Sequence, residues 1–444
     1  MNRPRTVLYV QHAGSLGGSC VSLRQIVSVL DRTRYLPVVA LARPSRDLVL
    51  YYEKTGARVL SWPGLVTFEH TTAFWTSAMR PASWPVLGRT LVGWRKSERR
   101  TLELIDHVRP DLVHLNSVVL AASARAARSR GVPLVWHVRE SPVPGHVGMR
   151  LALVRRALQR WPDRALFLSD AERSAWGVPA GIVVHNAVDM DRFDARLDRS
   201  VARKELGLAP DARVLLYVGG IGVIKGIFPL LEALSSITDI AGLVCLMPAT
   251  LHTPSASLKA RVARRVLPLI GRPILRQRVE DRIRELGLEA VCRRMPFVHE
   301  VERLIAASDA LVFPALENHF ARPVIEAAAM GRPTIASRLP TLEEIVDDGK
   351  TGLLVQPGNV AALAGAIRRV LSDHALAEAL GAGGRAEALL RYDLRVQAET
   401  IMRTYDEVLV ERTKHTRAGQ RSDSDQRSIP SSGTSASNST GQGS

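Results

Sequence analysis

The run E-N-H-F-A-R-P-V-I-E-A-A-A-M-G-R-P-T-I-A-S, residues 317–337, sets a polar loop ahead of a helical stretch and closes on a short β-rich segment. Pro323 suits a helix start, because its ring fixes φ and the N–H it lacks would have no partner in a first turn. Glu326 is expected to open that helix. A carboxylate placed there can accept hydroxyl groups such as those of a ribose, and the neighbouring backbone N–H groups can face phosphates.

The alternation of short apolar strands and helix-length segments continues on both sides of this run. Towards the N-terminus lie V-L-L-Y-V-G-G from Val214, G-L-V-C-L-M (242–247) and A-L-V-F-P-A (310–315). Further up are V-L-Y-V (7–10), L-P-V-V-A-L (36–41), D-L-V-H-L (111–115), P-L-V-W-H-V (133–138) and R-A-L-F-L-S (164–169). This is the pattern of βαβ units, and it predicts two successive parallel-sheet α/β domains dividing near residues 190–200. The expected boundaries are 1–192 and 193–390, then a helix over 391–412 and a tail over 413–444. That tail holds too few large apolar residues to order itself.

At 444 residues and 46% hydrophobic content the chain can bury two or three cores. Its 60 Lys and Arg against 43 Asp and Glu give +17, so anionic partners are expected: nucleic acid, an anionic membrane or a phosphorylated substrate. No nucleic-acid module accompanies the charge, which ranks that partner last. Cys20, Cys245 and Cys292 stand in no metal-binding or redox spacing, and a reducing, cytoplasmic compartment is the simplest expectation. The first apolar run is too short for a signal-peptide core, and the uncharged stretch 240–258 is broken by Pro248, His252 and Pro254. Membrane contact is therefore expected to be peripheral.

Two segments look like additions to the βαβ rhythm. Residues 67–100 combine Phe68, Phe74, Trp75, Trp84 and Trp94 with Arg95, Lys96, Arg99 and Arg100. Residues 255–285 hold nine cations: Lys259, Arg261, Arg264, Arg265, Arg272, Arg276, Arg278, Arg282 and Arg284. Both suit docking on anionic lipid, where each basic residue adds about 1 kcal/mol; the alternative is an Arg-rich solvated surface.

Two glycine-rich turns follow strands. G-S-L-G-G-S (14–19) lets the backbone at Gly17 and Gly18 approach another molecule at a helix N-terminus, although a plain tight turn explains it equally well. Y-V-G-G-I-G-V-I-K-G (217–226) places Gly219, Gly220 and then Lys225 where backbone and ammonium can meet a diphosphate; a solvated lysine is the alternative.

Together with R-P-D-L-V-H (109–114), V-V-H-N-A-V-D-M-D-R-F (183–193), E-A-A-A-M-G-R-P (326–333) and E-E-I-V-D-D-G-K-T-G-L-L-V-Q-P-G-N (343–359), these turns make the chain resemble a family 4 glycosyltransferase from about residue 5 to residue 410. The resemblance implies a GT-B fold, with two Rossmann-like parallel-sheet domains facing a cleft and the terminal helix crossing back onto the first. It also implies a retaining transferase without metal or cofactor, using a nucleotide-diphosphate sugar as donor. Lys225 would bind the diphosphate and Glu326 the ribose. Phe320, Ala321, Arg322, Pro323 and Val324 would line the sugar and phosphates, and Gly17 and Gly18 would face the cleft from the acceptor side. The departing diphosphate would help to deprotonate the acceptor, and electrostatic stabilisation of the leaving group would carry much of the catalysis.

Three departures fall at functional positions of the family pattern. Gly219-Gly220 stands where the family has Gly-Arg, so another basic group would have to replace that guanidinium. Asn318 holds the position of the family's first glutamate, eight before Glu326, with Glu317 one residue further off; either would bond the sugar hydroxyls. Arg139 takes the place of a cleft histidine, with His137 two residues earlier. Residues two apart on a strand share a face, so both can reach the cleft, Arg139 attracting phosphate or an anionic acceptor. The alternative for His137 is a hydrogen-bonded strand-end residue, the reading also given to His114 and His185. The catalytic expectation thus rests on Lys225, Glu326, His137 and Arg139.

The expected reaction is transfer of a hexosyl unit to a glycan or lipid-linked acceptor in cell-surface polysaccharide or glycolipid assembly. The rivals are a catalytically silent GT-B protein that binds a nucleotide sugar or a partner enzyme, and a nucleotide-sugar epimerase of the same fold. No feature suggests a Ser or Cys nucleophile triad, and no D-x-D carboxylate pair appears where a metal-dependent transferase would need one.

Overall fold

The computed structural model describes residues 3–14, 16–65, 84–143, 148–249 and 275–427. Of the two added segments, Phe68, Phe74 and Trp75 and the cations from Lys259 to Arg272 lie outside the described residues, as does the tail beyond residue 427.

The chain folds into two all-parallel sheets. The first holds β1 (Arg5–Gln11), β2 (Tyr35–Leu41), β3 (Arg58–Ser61), β4 (Leu112–Leu115), β5 (Leu134–Val138), β6 (Arg164–Phe167) and β7 (Ile182–Val183), in the order β3-β2-β1-β4-β5-β6-β7. The second holds β8 (Arg213–Leu216), β9 (Leu243–Met247), β10 (Cys292–Arg294), β11 (Ala310–Phe313), β12 (Thr334–Ser337) and β13 (Leu353–Val355), in the order β10-β9-β8-β11-β12-β13. Each order reverses once, between β1 and β4 and between β8 and β11. Ligands of open α/β sheets sit at such switch points, outside the carboxyl ends of the strands.

The apolar runs explain the strands. In β1, Val7 to Val10 are fully buried, because helices cover both sheet faces and a parallel strand must be apolar on each. Val7 and Tyr9 pack with α1 (Gly18–Ser28), while Leu8 and Val10 pack with α3 (Trp84–Val108) and α4 (Ala121–Ser129). The remaining helices are α2 (Arg46–Glu53), α5 (Met149–Arg160), α6 (Asp170–Trp176), α7 (Arg199–Glu205), α8 (Ile227–Ser235), α9 (Leu275–Glu285), α10 (Val301–Ala307), α11 (Arg322–Ala329), α12 (Pro340–Glu343), α13 (Val360–Ser372), α14 (His374–Arg391) and α15 (Leu394–Arg427). The three cysteines are buried and none is in a disulfide, Cys245 and Cys292 facing each other in register across β9 and β10.

The chain passes between the sheets twice, and the two passages are hydrogen-bonded: Val188 N–H donates to the Tyr392 carbonyl at 2.7 Å, and Leu394 N–H to that of Val188 at 3.0 Å. Beyond the second passage α15 lies on the first sheet's helical layer. Tyr405 Oη meets His114 Nδ1 at 2.7 Å, and Arg412 pairs with Asp163 at 2.7 Å.

Some expectations are corrected. The terminal helix runs to Arg427, past residue 412, with Lys414, Arg417, Ala418, Gln420 and Arg421 supplying helix-favouring residues where apolar side chains give out. It therefore includes residues placed in the tail by composition. Helix α1 begins at Gly18 and not near Val21, because Gly17 supplies an extended N-cap through backbone alone. Helix α11 opens at Arg322, so Glu326 stands one turn inside it and not at its start.

Candidate active site

The second domain builds its part of the site at the switch point between β8 and β11. After β8 the chain turns on glycines whose Cβ atoms have no room. A side chain on Gly219 would meet the Tyr217 hydroxyl at 2.2 Å, and one on Gly226, which sits at φ +76°, would meet the Pro314 carbonyl oxygen at 1.7 Å. Gly220 also takes a left-handed φ of +60°. This close packing of the β8 turn against the end of β11 aims Lys225 at the loop before α11.

There the Lys225 ammonium meets His319, Nζ to Nε2 at 2.5 Å. The Nδ1 of His319 lies 2.8 Å from the Glu317 carbonyl, so Nδ1 carries the hydrogen and Nε2 offers its lone pair to the ammonium. Burial lowers Lys225 to about 8. Burial and then the Lys225 charge lower His319 to about 4. At neutral pH the pair is one cation held by a neutral ring. Among the described residues Lys225 meets no carboxylate, and its ammonium faces the Phe313 ring at 5.8 Å from the centroid.

Glu326, on the buried face of α11, is 6% exposed. Burial pushes its carboxyl above the usual range, opposed by the charges of Arg322 and Arg192. Among the described residues no hydrogen bond or ion pair reaches this carboxylate. A buried acceptor without a donor is costly, and such a group suits a ligand that brings hydroxyl hydrogens. Ahead of it, Ala321 and Val324 are buried, Pro323 stands in the first turn, and Phe320 stacks on His185 at 6.1 Å between centroids.

The two residues considered for the sugar differ. Asn318 Oδ1 accepts from Thr341 N–H at 2.9 Å and from Thr341 Oγ1 at 2.8 Å, so its amide carbonyl braces α12. Glu317 is exposed.

In the first domain, Gly17 and Gly18 are exposed at the start of α1, and a Cβ on either would meet nothing within 4 Å. Packing does not require glycine there. At the exit of β5, His137 and Arg139 share a face, with His137 Nδ1 at 3.4 Å from Arg139 Nη2. A guanidinium can only donate, which makes Nδ1 the acceptor and leaves the hydrogen on the buried, unpartnered Nε2. Burial, Arg139 and His114 hold His137 neutral, well below the usual histidine range. Arg139 itself donates to Asn116 Oδ1 at 2.5 Å and to Asn186 Oδ1 at 3.0 Å, and burial lowers it to about 9 with help from Arg322.

Arg322 is where the domains meet. From the start of α11 its side chain crosses to the first domain and donates to Gln25 Oε1 and the Ala187 carbonyl, each at 2.9 Å, to Ser22 Oγ, and to Asn186 Oδ1 at 3.3 Å. Ser141 Oγ donates to the Asn318 carbonyl at 3.0 Å, and Glu344 accepts the Asp170 and Ala171 N–H groups at 2.8 and 2.5 Å, capping α6 from the other domain.

The structure thus sets Lys225 against His319 in the loop ahead of α11, places Glu326 one turn inside that helix, and gathers His137 and Arg139 with Asn186 in the first domain. Sequence reasoning missed His319, Asn186, Asn116, Ser22 and Gln25. The signal for His319 was its place in the loop before the donor helix; for Asn186, its place inside V-V-H-N-A-V-D. His114 and His185 are structural, bonded to Tyr405 and the Leu168 carbonyl. Among the described residues no three His, Cys, Asp or Glu side chains gather as a metal site, and no helix is long and apolar enough to cross a membrane.

Two sequence-family profiles match the chain, one described as glycosyl transferase 4-like domain over residues 17–187 and one as glycosyl transferases group 1 over residues 198–387. Among curated proteins, a D-inositol 3-phosphate glycosyltransferase of Geodermatophilus obscurus is 30% identical over 305 residues, covering 67% of this chain and 60% of the relative. One of Nocardioides sp. is 33% identical over 221 residues, covering 47% and 44%. The chain spans about half the length of the curated relatives it matches. Among solved structures, Anabaena HepE in complex with UDP and glucose has a TM-score of 0.71 at 20% identity, covering 90% of this chain and 99% of HepE. Sucrose-phosphate synthase of Thermosynechococcus elongatus has 0.69 at 20%, covering 92% and 100%. With both halves matched in order and the two-sheet architecture shared, the chain belongs to the family 4 glycosyltransferases of GT-B fold.

Proposed function

We propose that this protein moves a hexosyl unit from a nucleoside-diphosphate sugar to a glycan or lipid-linked acceptor, with retention at the anomeric carbon. The observation that carries the reading is that the elements following β8 and β11, neighbouring strands at the switch point, supply a cation and a buried carboxylate, Lys225 and Glu326, which among the described residues have no carboxylate partner and no donor respectively. A diphosphate answers the first and ribose hydroxyls the second. The HepE complexes hold UDP and UDP-glucose, which supports a donor of this class.

In this reading Lys225 neutralises charge on the leaving diphosphate, and His319 holds the ammonium in place without competing for its charge. The α11 N-terminus adds backbone dipoles. A phosphate oxygen of the leaving group takes the acceptor proton on the same face of the sugar, so no side-chain base is required. Neutral His137, with its hydrogen on Nε2, is a hydrogen-bond donor towards sugar or acceptor. No metal or cofactor takes part.

Peripheral docking on the inner face of a membrane belongs to the same reading. Val92 on α3 and Met149 and Leu153 on α5 are 74%, 63% and 69% exposed, amid the basic residues of these helices. Co-sedimentation with anionic vesicles at low salt tests it; no binding removes it. For the reaction, purified protein is incubated with UDP-, GDP- and ADP-sugars and nucleotide release is followed. Release from one donor, lost in Lys225→Ala and Glu326→Ala, supports the reading. No release with any donor, alone or with acceptor glycans, would leave the catalytically silent binder.

A further inference from the structure

Arg139 and Arg322 come from different domains and converge on one atom. Asn186 Oδ1 lies 3.0 Å from Arg139 Nη1, 3.3 Å from Arg322 Nη2 and 2.8 Å from Ser22 Oγ. A carbonyl oxygen has two lone pairs, so this one is shared among more donors than it can satisfy. The remaining partners of both guanidiniums are equally neutral: Asn116 and His137 for Arg139, and Ser22, Gln25 and the Ala187 carbonyl for Arg322. Among the described residues neither guanidinium meets a carboxylate, and Arg322 Nε is buried with no hydrogen-bond partner. Glu140, the residue after Arg139, spends its carboxylate on the Ser117 hydroxyl and on the Val118 and Arg139 N–H groups. Two like charges are thus held side by side, away from water, with hydrogen bonds to neutral groups only, while Glu140 and Glu326 act on them through charge without an ion pair. Burial and mutual repulsion each lower the Arg139 pKa.

Nothing in packing calls for this arrangement. A buried cation is ordinarily paired, and planar guanidiniums offer parallel N–H donors that fit phosphate or carboxylate oxygens two at a time. The position is also telling. Arg139 leaves the carboxyl end of β5 on the acceptor side, and Arg322 is the first residue of the helix that carries Glu326. The site exists only where the two domains face each other.

We propose that Arg139 and Arg322 form one anion-recognition site, built from both domains, that takes a phosphoryl group bound in the cleft. It rests on the transferase reading only for the source of that group, which is either the donor's diphosphate or a phosphate carried by the acceptor. In the first case Arg322 supplies the guanidinium missing at Gly220; in the second the acceptor is a phosphorylated glycan or polyol.

The test uses the full chain and two probes, inorganic phosphate and UDP, with calorimetric titration at matched ionic strength on wild type, Arg139→Gln and Arg322→Gln. Phosphate is expected to bind wild type and to weaken about tenfold or more in each variant, the loss of one charge-assisted pair. If UDP weakens alongside, the group is the donor's. If UDP binds as in wild type, and phosphate bound on top of saturating UDP is lost in the variants, the group is the acceptor's. Arg139→Lys and Arg322→Lys guard against misfolding, since they keep the charge and should bind phosphate between wild type and the glutamine forms. Wild-type affinity for both probes in both glutamine variants, with only a lowered melting temperature, would make the pair a domain latch and overturn the proposal. Failure of wild type to bind phosphate overturns it too. Failure to bind UDP while phosphate still reports on the two arginines would count against the transferase reading alone.

Discussion

The two halves of the cleft are assembled in opposite ways. On the donor side the groups come from two short runs, 217–226 and 317–337, whose strands β8 and β11 are neighbours, so sequence distance collapses in a single sheet contact. On the acceptor side the groups are scattered: Ser22 on α1, Asn116 after β4, Arg139 after β5, Asn186 in the first passage between the sheets, and Arg322 from the other domain. A compact motif can be recognised from its own residues. A scattered site exists only once the fold has gathered it, and its specificity can change without disturbing the donor side.

The largest expected effect breaks the donor half. Lys225→Ala should lower turnover by about 10² to 10³, the loss that follows removal of one preorganised electrostatic contact to developing charge. Steady-state kinetics with the donor found active check it, and a KM change with unaltered kcat would instead make Lys225 a simple binding group. Gly226→Ala should destabilise the same half by ~3 kcal/mol or more, since a Cβ would overlap the Pro314 carbonyl and φ there is left-handed; urea unfolding reads this.

A smaller effect is expected from pH. Lys225 is cationic below about 8 and loses its proton above, so UDP affinity should fall as pH rises from 7.5 to 9.5. In Lys225→Ala the profile should be flat over that range; an unchanged fall in the variant would assign it to another group. The smallest effects fall on the first domain. Tyr405→Phe removes the hydroxyl that meets buried His114 Nδ1 and should cost about 1 kcal/mol of stability while leaving UDP affinity alone. Gly18→Ala should leave stability unchanged, because a Cβ there touches nothing, yet slow transfer to acceptor. Loss of stability without loss of transfer would return this turn to a structural role.

The fold was legible where strands lie inside a sheet and are apolar on both faces, as in V-L-Y-V and D-L-V-H-L. It was not legible at β3, β7, β10 and β13, the four strands at the edges of the two sheets. Residues of the donor site were legible as identities more than as roles. Asn318 read as a sugar contact, but its amide carbonyl is held by Thr341, a partner 23 residues away that no local pattern announces. His319 went unread because the lysine it holds lies 94 residues earlier. Arg322 read as part of a lining loop, whereas its side chain reaches Ser22, 300 residues back, across the domain boundary. Contacts of that range follow from the closed arrangement of two domains, which periodicity and motif spacing do not encode.

The central claim is that Lys225 and Glu326 together hold a nucleoside diphosphate. Calorimetric titration of UDP, GDP and ADP into wild type, Lys225→Ala and Glu326→Ala tests it most directly. One nucleotide should bind wild type well above the others, and each variant should lose about ten- to a hundredfold in affinity, as expected for a charge-assisted contact worth about 1.5 to 3 kcal/mol. Binding of the same nucleotide with undiminished affinity in both variants would contradict the site described here.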